Sequence, residues 1–212
     1  MTRFWKNNGL TITMLALFAA FGVGQFVAGY LVLKEELREH GQPTISMVQY
    51  LCSGHFVEAT FENWESEFLQ MGSYVLLTSF LFQKGSAESR PPEEAGSGID
   101  HTTMRRGGRA ARASFVYRHS LSLALFALFG LSFGLHLLGG TIEYNRQQAL
   151  LHEAPVSLLE FLQTSEFWFQ SFQNWQSEYL SVAVLVVLSI WLREEDSPES
   201  KPVDAPNDQT GD

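Results

Sequence analysis

From Gly9 to Leu33 the chain runs for 25 residues without a formal charge. Roughly 20 apolar residues are enough to cross about 30 Å of hydrocarbon. Inside lipid a backbone has to satisfy its own hydrogen bonds, so a stretch of this kind has little choice but to be a helix. Three further apolar segments follow, at about 64–82, 120–140 and 175–192. Those at 64–82 and 175–192 are shorter and open on polar residues. The net charge of −9 would by itself suggest a soluble acidic protein, but it averages the apolar segments with polar loops and an acidic tail. The 17 phenylalanines and five tryptophans fit rings placed at lipid and headgroup depth. The expectation is an all-α integral membrane fold with four transmembrane helices. Arg3 and Lys6 before the first segment resemble a secretory signal. The apolar run is too long for a signal core, however, and lacks a small-x-small cleavage site before Lys34.

Lysine and arginine placement sets the orientation. With the N-terminus inside, eleven of the 14 basic residues fall on the cytoplasmic side and only Lys34, Arg38 and Arg146 outside. Arg105, Arg106, Arg109, Arg112 and Arg118 gather directly before the third segment, where the bias acts most strongly. They read as a topology signal with anionic-lipid contact rather than a nucleic-acid surface, because no aromatics interleave them. Both termini are therefore expected in the cytoplasm.

The chain also repeats itself at an offset of 111 residues. Phe61-Glu-Asn-Trp-Glu-Ser-Glu-Phe-Leu returns as Phe172-Gln-Asn-Trp-Gln-Ser-Glu-Tyr-Leu, and Ser86-Ala-Glu-Ser-Arg-Pro as Ser197-Pro-Glu-Ser-Lys-Pro. The same offset pairs Leu10 with Leu121, Ala16-Leu-Phe with Ala127-Leu-Phe and Gly29 with Gly140. Each copy carries two crossings, so both insert the same way round. That makes them parallel repeats about an axis along the membrane normal. Residues 1–92 form unit 1, 93–118 a flexible basic cytoplasmic linker, 119–193 unit 2 and 194–212 an acidic tail whose composition predicts disorder. In the outer loops, amphipathic stretches at 44–51 and 155–162 predict short helices on the membrane surface, with neighbouring aromatics dipping into headgroups. Ser46 with Gln49 and Ser157 with Glu160 have capping-box spacing, although Pro155 could equally open the second of these helices.

The duplicated motif is Asn63, Trp64, Ser66 and Glu67 with Asn174, Trp175, Ser177 and Glu178. One reading is structural: asparagine caps the helix, Trp64 and Trp175 anchor the interface, and the acids sit at the positive end of the helix dipole. The other is functional. Glu67 and Glu178 persist in both copies, whereas Glu62 and Glu65 become Gln173 and Gln176. Gln25 and its equivalent His136 are each isolated in an apolar helix, in the outer half of the membrane by helical rise. Together these residues define a candidate polar or ion site, in which a carboxylate would pair with His136. Gly24, within an Ala20-Gly24-Ala28 stripe, and Gly130 with Gly134 predict close packing of the first and third helices. The Ser-x-Glu-Ser-Arg/Lys-Pro stretches read as helix stops. Cys52, the one cysteine, reads as an ordinary small apolar residue.

No P-loop, HExxH, nucleophile elbow or paired CxxC is present, so nothing points to an enzyme, a metal or a cofactor. The repeated Asn-Trp-x-Ser-Glu-aromatic-Leu motif, its apolar helix and the Ser-x-Glu-Ser-Lys/Arg-Pro stretch resemble an uncharacterised family of small bacterial integral membrane proteins, a domain of unknown function. The resemblance covers both units, most closely 61–92 and 172–203, and implies a bacterial inner-membrane location without assigning residue roles. The sequence leaves two functions: a structural or partner-binding protein of the envelope, or a channel or transporter for a small cation or proton. The bilayer is the expected partner, with a second copy or an envelope protein beside it and no nucleic acid.

Overall fold

The computed structural model describes residues 3–91 and 114–211. Arg105, Arg106, Arg109 and Arg112, and most of the linker expected at 93–118, lie outside the described residues. Within them the chain is all-helical: α1 (Arg3–Glu39), α2 (Met47–Leu51), α3 (Gly54–Leu77), α4 (Phe115–Arg118), α5 (Ser120–Leu150), α6 (Leu158–Phe161) and α7 (Ser165–Leu188). No strand occurs among the described residues.

Two of these helices, α1 and α5, are long and apolar enough to cross a membrane. By that measure α3 and α7, also expected to cross, fall short. In both, the apolar stretch is only the second half of a 24-residue helix. Their first halves carry Glu58, Glu62 and Glu65, and Glu166, with Glu67 and Glu178 just past the midpoint. These helices begin earlier than the hydropathy suggests because their caps lie upstream. The Ser53 hydroxyl accepts the Phe56 N–H at 3.2 Å, and the Thr164 hydroxyl accepts the Phe167 N–H at 3.3 Å. Asn63 and Asn174 are consequently well inside their helices and cap nothing. The amphipathic segments between Gly54 and Asn63 and between Ser165 and Asn174 continue the helix, and so most of the aromatics expected on short surface helices belong to α3 and α7 instead.

The chain divides into two compact units, Met1–Phe61 with Leu135–Phe167, and Glu62–Gly134 with Trp168–Asp212. The first unit has a core in which Leu33, Leu37 and Tyr50 are buried, with Phe26, Tyr30, Ile45 and Phe56 packed around them. The short helices α2 and α6 each start on a complete capping box, Ser46 with Gln49 and Ser157 with Glu160. Pro155 stands outside α6. The aromatic four residues beyond each capping serine packs against a glycine: the Tyr50 hydroxyl lies over Gly29 and the Phe161 ring over Gly140. In the same unit α3 and α5 meet backbone to backbone. A Cβ on Gly54 would come within 2.5 Å of the Glu143 nitrogen, and one on Gly139 within 2.6 Å of the Glu58 nitrogen.

A Cβ on Gly24, Gly130 or Gly134 would meet nothing within 4 Å. The glycines that permit close approach are Gly29, Gly54, Gly139 and Gly140 instead.

The second unit contains the ends of α3 and α7. Eight residues beyond each end comes a left-handed residue, Gly85 at φ 87° and Asp196 at φ 64°. After each comes the same set of bonds. Ser89 Oγ accepts the Gln83 N–H at 2.8 Å, and Ser200 Oγ the Glu194 N–H at 2.9 Å. The following basic side chain folds back onto the helix end: Arg90 donates to the Ser79 carbonyl and Lys201 to that of Ile190. Residues 194–211 form a run of turns. Lys201, 1% exposed, donates to the carbonyls of Gly85 at 2.6 Å, Gln209 at 3.0 Å and Asn207 at 3.1 Å. Thr210 Oγ1 accepts the Gly85 N–H at 2.8 Å, and the Gly211 N–H donates to the Ser86 carbonyl at 3.0 Å. Low apolar content predicts disorder only where no buried polar group requires the segment, and here several carbonyls require the ammonium.

Two outcomes follow. Gly54→Leu and Gly139→Val drive side chains into backbone and lower the melting temperature in detergent, whereas Gly130→Ala leaves it level or raises it, since alanine gains up to about 1 kcal/mol in a helix. Equal losses at both kinds of position would contradict this packing. Lys201→Met strips the carbonyls of their donor, so limited proteolysis should cut the chain after residue 194 well before it cuts the parent protein; identical digestion patterns would show the strap to be independent of Lys201.

Candidate functional site

Most of the residues singled out in the sequence take positions that the helix boundaries dictate. In the first unit Gln25 is exposed on α1 and donates to Thr60 Oγ1 at 3.3 Å. His136, on α5, is fully buried at 0% exposure and stacks on the Phe167 ring at 4.8 Å between centroids. In the second unit Ser66 is buried and donates to the Asn63 carbonyl at 2.7 Å, while exposed Ser177 donates to that of Asn174 at 2.8 Å. Asn63 is exposed, and Trp64 and Trp175 are half-buried. Glu67 is exposed, Glu178 is half-buried, and the two carboxylates lie within electrostatic range of each other. Gln25 and His136 thus belong to one compact unit and Glu67 and Glu178 to the other.

Two polar constellations were not anticipated. The first lies in the first unit. Arg146 Nη2 donates to Glu36 Oε1 at 2.8 Å and to Glu143 Oε1 at 2.5 Å, and its Nε reaches Glu143 Oε2 at 3.0 Å. The hydrogen bonds it donates to Glu143, then that to Glu36, hold the guanidinium charged well beyond its ordinary range despite partial burial. The Glu143 side chain is only 5% exposed. Nearby, the Tyr50 hydroxyl lies 3.1 Å from His55 Nδ1. Burial, and secondarily the Glu143 charge, push this phenol above its usual value. Tyr50 is therefore held neutral at physiological pH and acts as a hydrogen-bonding group.

The second constellation runs between α3 and α7 within the second unit, as a series of side-chain rungs. Asn174 Nδ2 donates to Glu62 Oε1 at 3.0 Å, Trp175 Nε1 to Glu65 Oε1 at 3.0 Å, and Tyr179 Oη to Ser73 Oγ at 2.8 Å. Glu65 is completely buried. At the far end Ser86 and Ser189 hydroxyls meet at 2.8 Å. Below the Tyr179 rung the same helices enclose a cavity of about 270 Å³, bounded by Gln70, Tyr74, Leu81, Val182 and Val186 among others, with Glu88 and Ser89 at one end. The Glu88 carboxylate accepts the Tyr74 hydroxyl at 2.7 Å.

Sequence reasoning set Glu62 and Glu65 aside because their copies are glutamines. Their role is to receive the donors of Asn174 and Trp175, so a second pair of acids would have no use. Arg146 was counted only as an outer charge. The Glu143–Arg146 spacing of three on a helix was the available signal.

Chemically, these groups bind protons and cross-link helices. Among the described residues no group of histidines, cysteines and carboxylates is arranged to hold a metal. An all-helical chain with two helices able to span a membrane, and with polar bonds tying its other long helices together, is the class this architecture defines. The chain belongs to the family described as Domain of unknown function (DUF6766), which matches residues 1–212. No curated protein and no solved structure is similar enough to count as a match.

Removing one partner of a buried ion pair costs about 3–5 kcal/mol, whereas an interhelical hydrogen bond in a membrane protein averages about 0.6 kcal/mol. Arg146→Met should therefore lower the detergent unfolding midpoint several times more than Trp175→Phe. Comparable midpoints for the two variants would show that the Arg146 pairs add nothing to stability.

Proposed function

We propose that the chain is a multi-pass protein of the bacterial inner membrane that performs no catalysis and serves a structural or partner-binding role in the envelope. The observation that carries this reading is the exposure of α1. None of the residues in its most apolar stretch is buried, and Leu10, Leu15, Phe18, Phe21 and Val23 stand open. A core helix of a soluble protein would be covered by its own chain; an uncovered one of this length requires an apolar solvent. The polar first halves of α3 and α7 do not exclude them from the membrane, because the carboxylates of Glu62 and Glu65 are paired with donors on α7. We take all four long helices as crossing, in two parallel repeats with both termini inside. The recurrence of caps, left-handed residues and glycine–aromatic contacts at the 111-residue offset supports this arrangement, as does the bias of basic residues.

The chain should sediment with membranes and resist carbonate extraction. Reporter fusions at residue 105 and after residue 212 should report cytoplasm, and one near residue 150 the periplasm. Recovery from the aqueous fraction without detergent would refute the reading. A second reading, conduction of a cation or proton, is favoured by the proximity of Glu67 to Glu178 and by the burial of His136. It requires that Glu67→Gln with Glu178→Gln abolish flux in proteoliposomes while leaving the fold intact.

A further inference from the structure

The cavity between α3 and α7 matches neither a solute site nor a packing defect. Its walls are almost wholly apolar, formed by Leu77, Leu81, Phe82, Val182, Ala183 and Val186. It is elongated along the helices. From Tyr179 to Val186 it follows about 10 Å of helical rise, and the turn residues between Thr78 and Gln83 extend it further. One leaflet of hydrocarbon is about 15 Å deep. Charge appears only at the end where the two helices stop. There the Glu88 carboxylate and Ser89 form the rim, and the Arg90 guanidinium sits 6.0 Å from the centre of the Phe82 ring, which itself lines the cavity.

A half-open groove along two helices, apolar over most of its surface and bearing an acid beside a base at its end, has the charge order of a zwitterionic phospholipid. We propose that this cavity holds one acyl chain of an inner-leaflet phospholipid with an amine headgroup, such as phosphatidylethanolamine. The ammonium faces Glu88 and the phosphate faces Arg90. A fatty acid or an anionic lipid would set its negative charge against the Glu88 carboxylate. A polar solute would meet mostly apolar surface along the walls. The inference rests on the membrane reading above, because the mouth of the cavity coincides with the inner surface only if α3 and α7 cross with their C-terminal ends inside.

The test uses the full chain, extracted from membranes in mild detergent, exchanged extensively and examined by native mass spectrometry with lipid extraction. The parent protein should retain one phosphatidylethanolamine. Ala183→Phe fills the cavity and should abolish retention, with helicity and elution volume unchanged. Glu88→Gln should keep the acyl chain but weaken the preference for phosphatidylethanolamine over phosphatidylglycerol in mixed vesicles by about tenfold, the worth of one charge-assisted hydrogen bond. Should Ala183→Phe fail to fold, Val182→Phe on the same wall serves in its place. A membrane-extracted, helical protein that retains no lipid, or retains it equally in the filled variants, overturns the lipid assignment and leaves the membrane reading standing. Retention of a peptide or a second copy across this surface overturns it as well. Recovery of the chain from the aqueous fraction overturns both.

Discussion

The ends of a helix leave carbonyls and N–H groups without partners of their own, and satisfying them is the constraint on which this structure is built. The solutions are polar and specific. Ser53 and Thr164 close the starts of α3 and α7. Capping boxes close the starts of α2 and α6. Arg90 and Lys201 fold back over the exits. Each device fixes where an apolar stretch enters or leaves, and thereby which residues of α3 and α7 face one another. The polar rungs and the cavity between them depend on that register.

The location of buried charge follows from the same constraint. Glu65 and Glu143 are both nearly inaccessible; Glu65 is met by Trp175 on the facing helix, and Glu143 by Arg146 one turn on in its own helix, which also reaches Glu36 on α1. A lone ionised carboxylate at such depth would be costly, and a paired one becomes a geometric key that admits only one arrangement of helices. The first unit uses an ion pair and the second uses neutral donors. The stability of the first should accordingly be the more sensitive to substitution.

The sequence made the helical class, the long apolar runs, the capping serines and the helix stops legible, because each depends on a local pattern. Periodicity and charge along α1 needed no tertiary information. The true starts of α3 and α7 were not legible. Hydropathy marks where a helix becomes apolar, and Gly54 and Ser165 begin helices that are amphipathic for nearly three turns before that point. The order of residues 194–211 was hidden for a related reason: its cause is the fit of one ammonium among distant carbonyls, which composition cannot express. The close-packing glycines escaped notice because Gly139 and Gly140 belong to no GxxxG pattern. The candidate site of Gln25, His136, Glu67 and Glu178 was drawn from duplication, which finds residues common to both copies and passes over pairs such as Glu65 and Trp175 that complement each other between copies.

The strap formed by the last residues has a consequence for how the chain is made. The backbone amide of Gly85 is satisfied by Thr210, 125 positions later. During synthesis at roughly 5–20 residues per second, that partner emerges some 6–25 s after the glycine itself. For that interval the turns after α3 are held by their local Ser89 and Arg90 bonds. Their final packing is therefore settled only once residues 201–211 have been made.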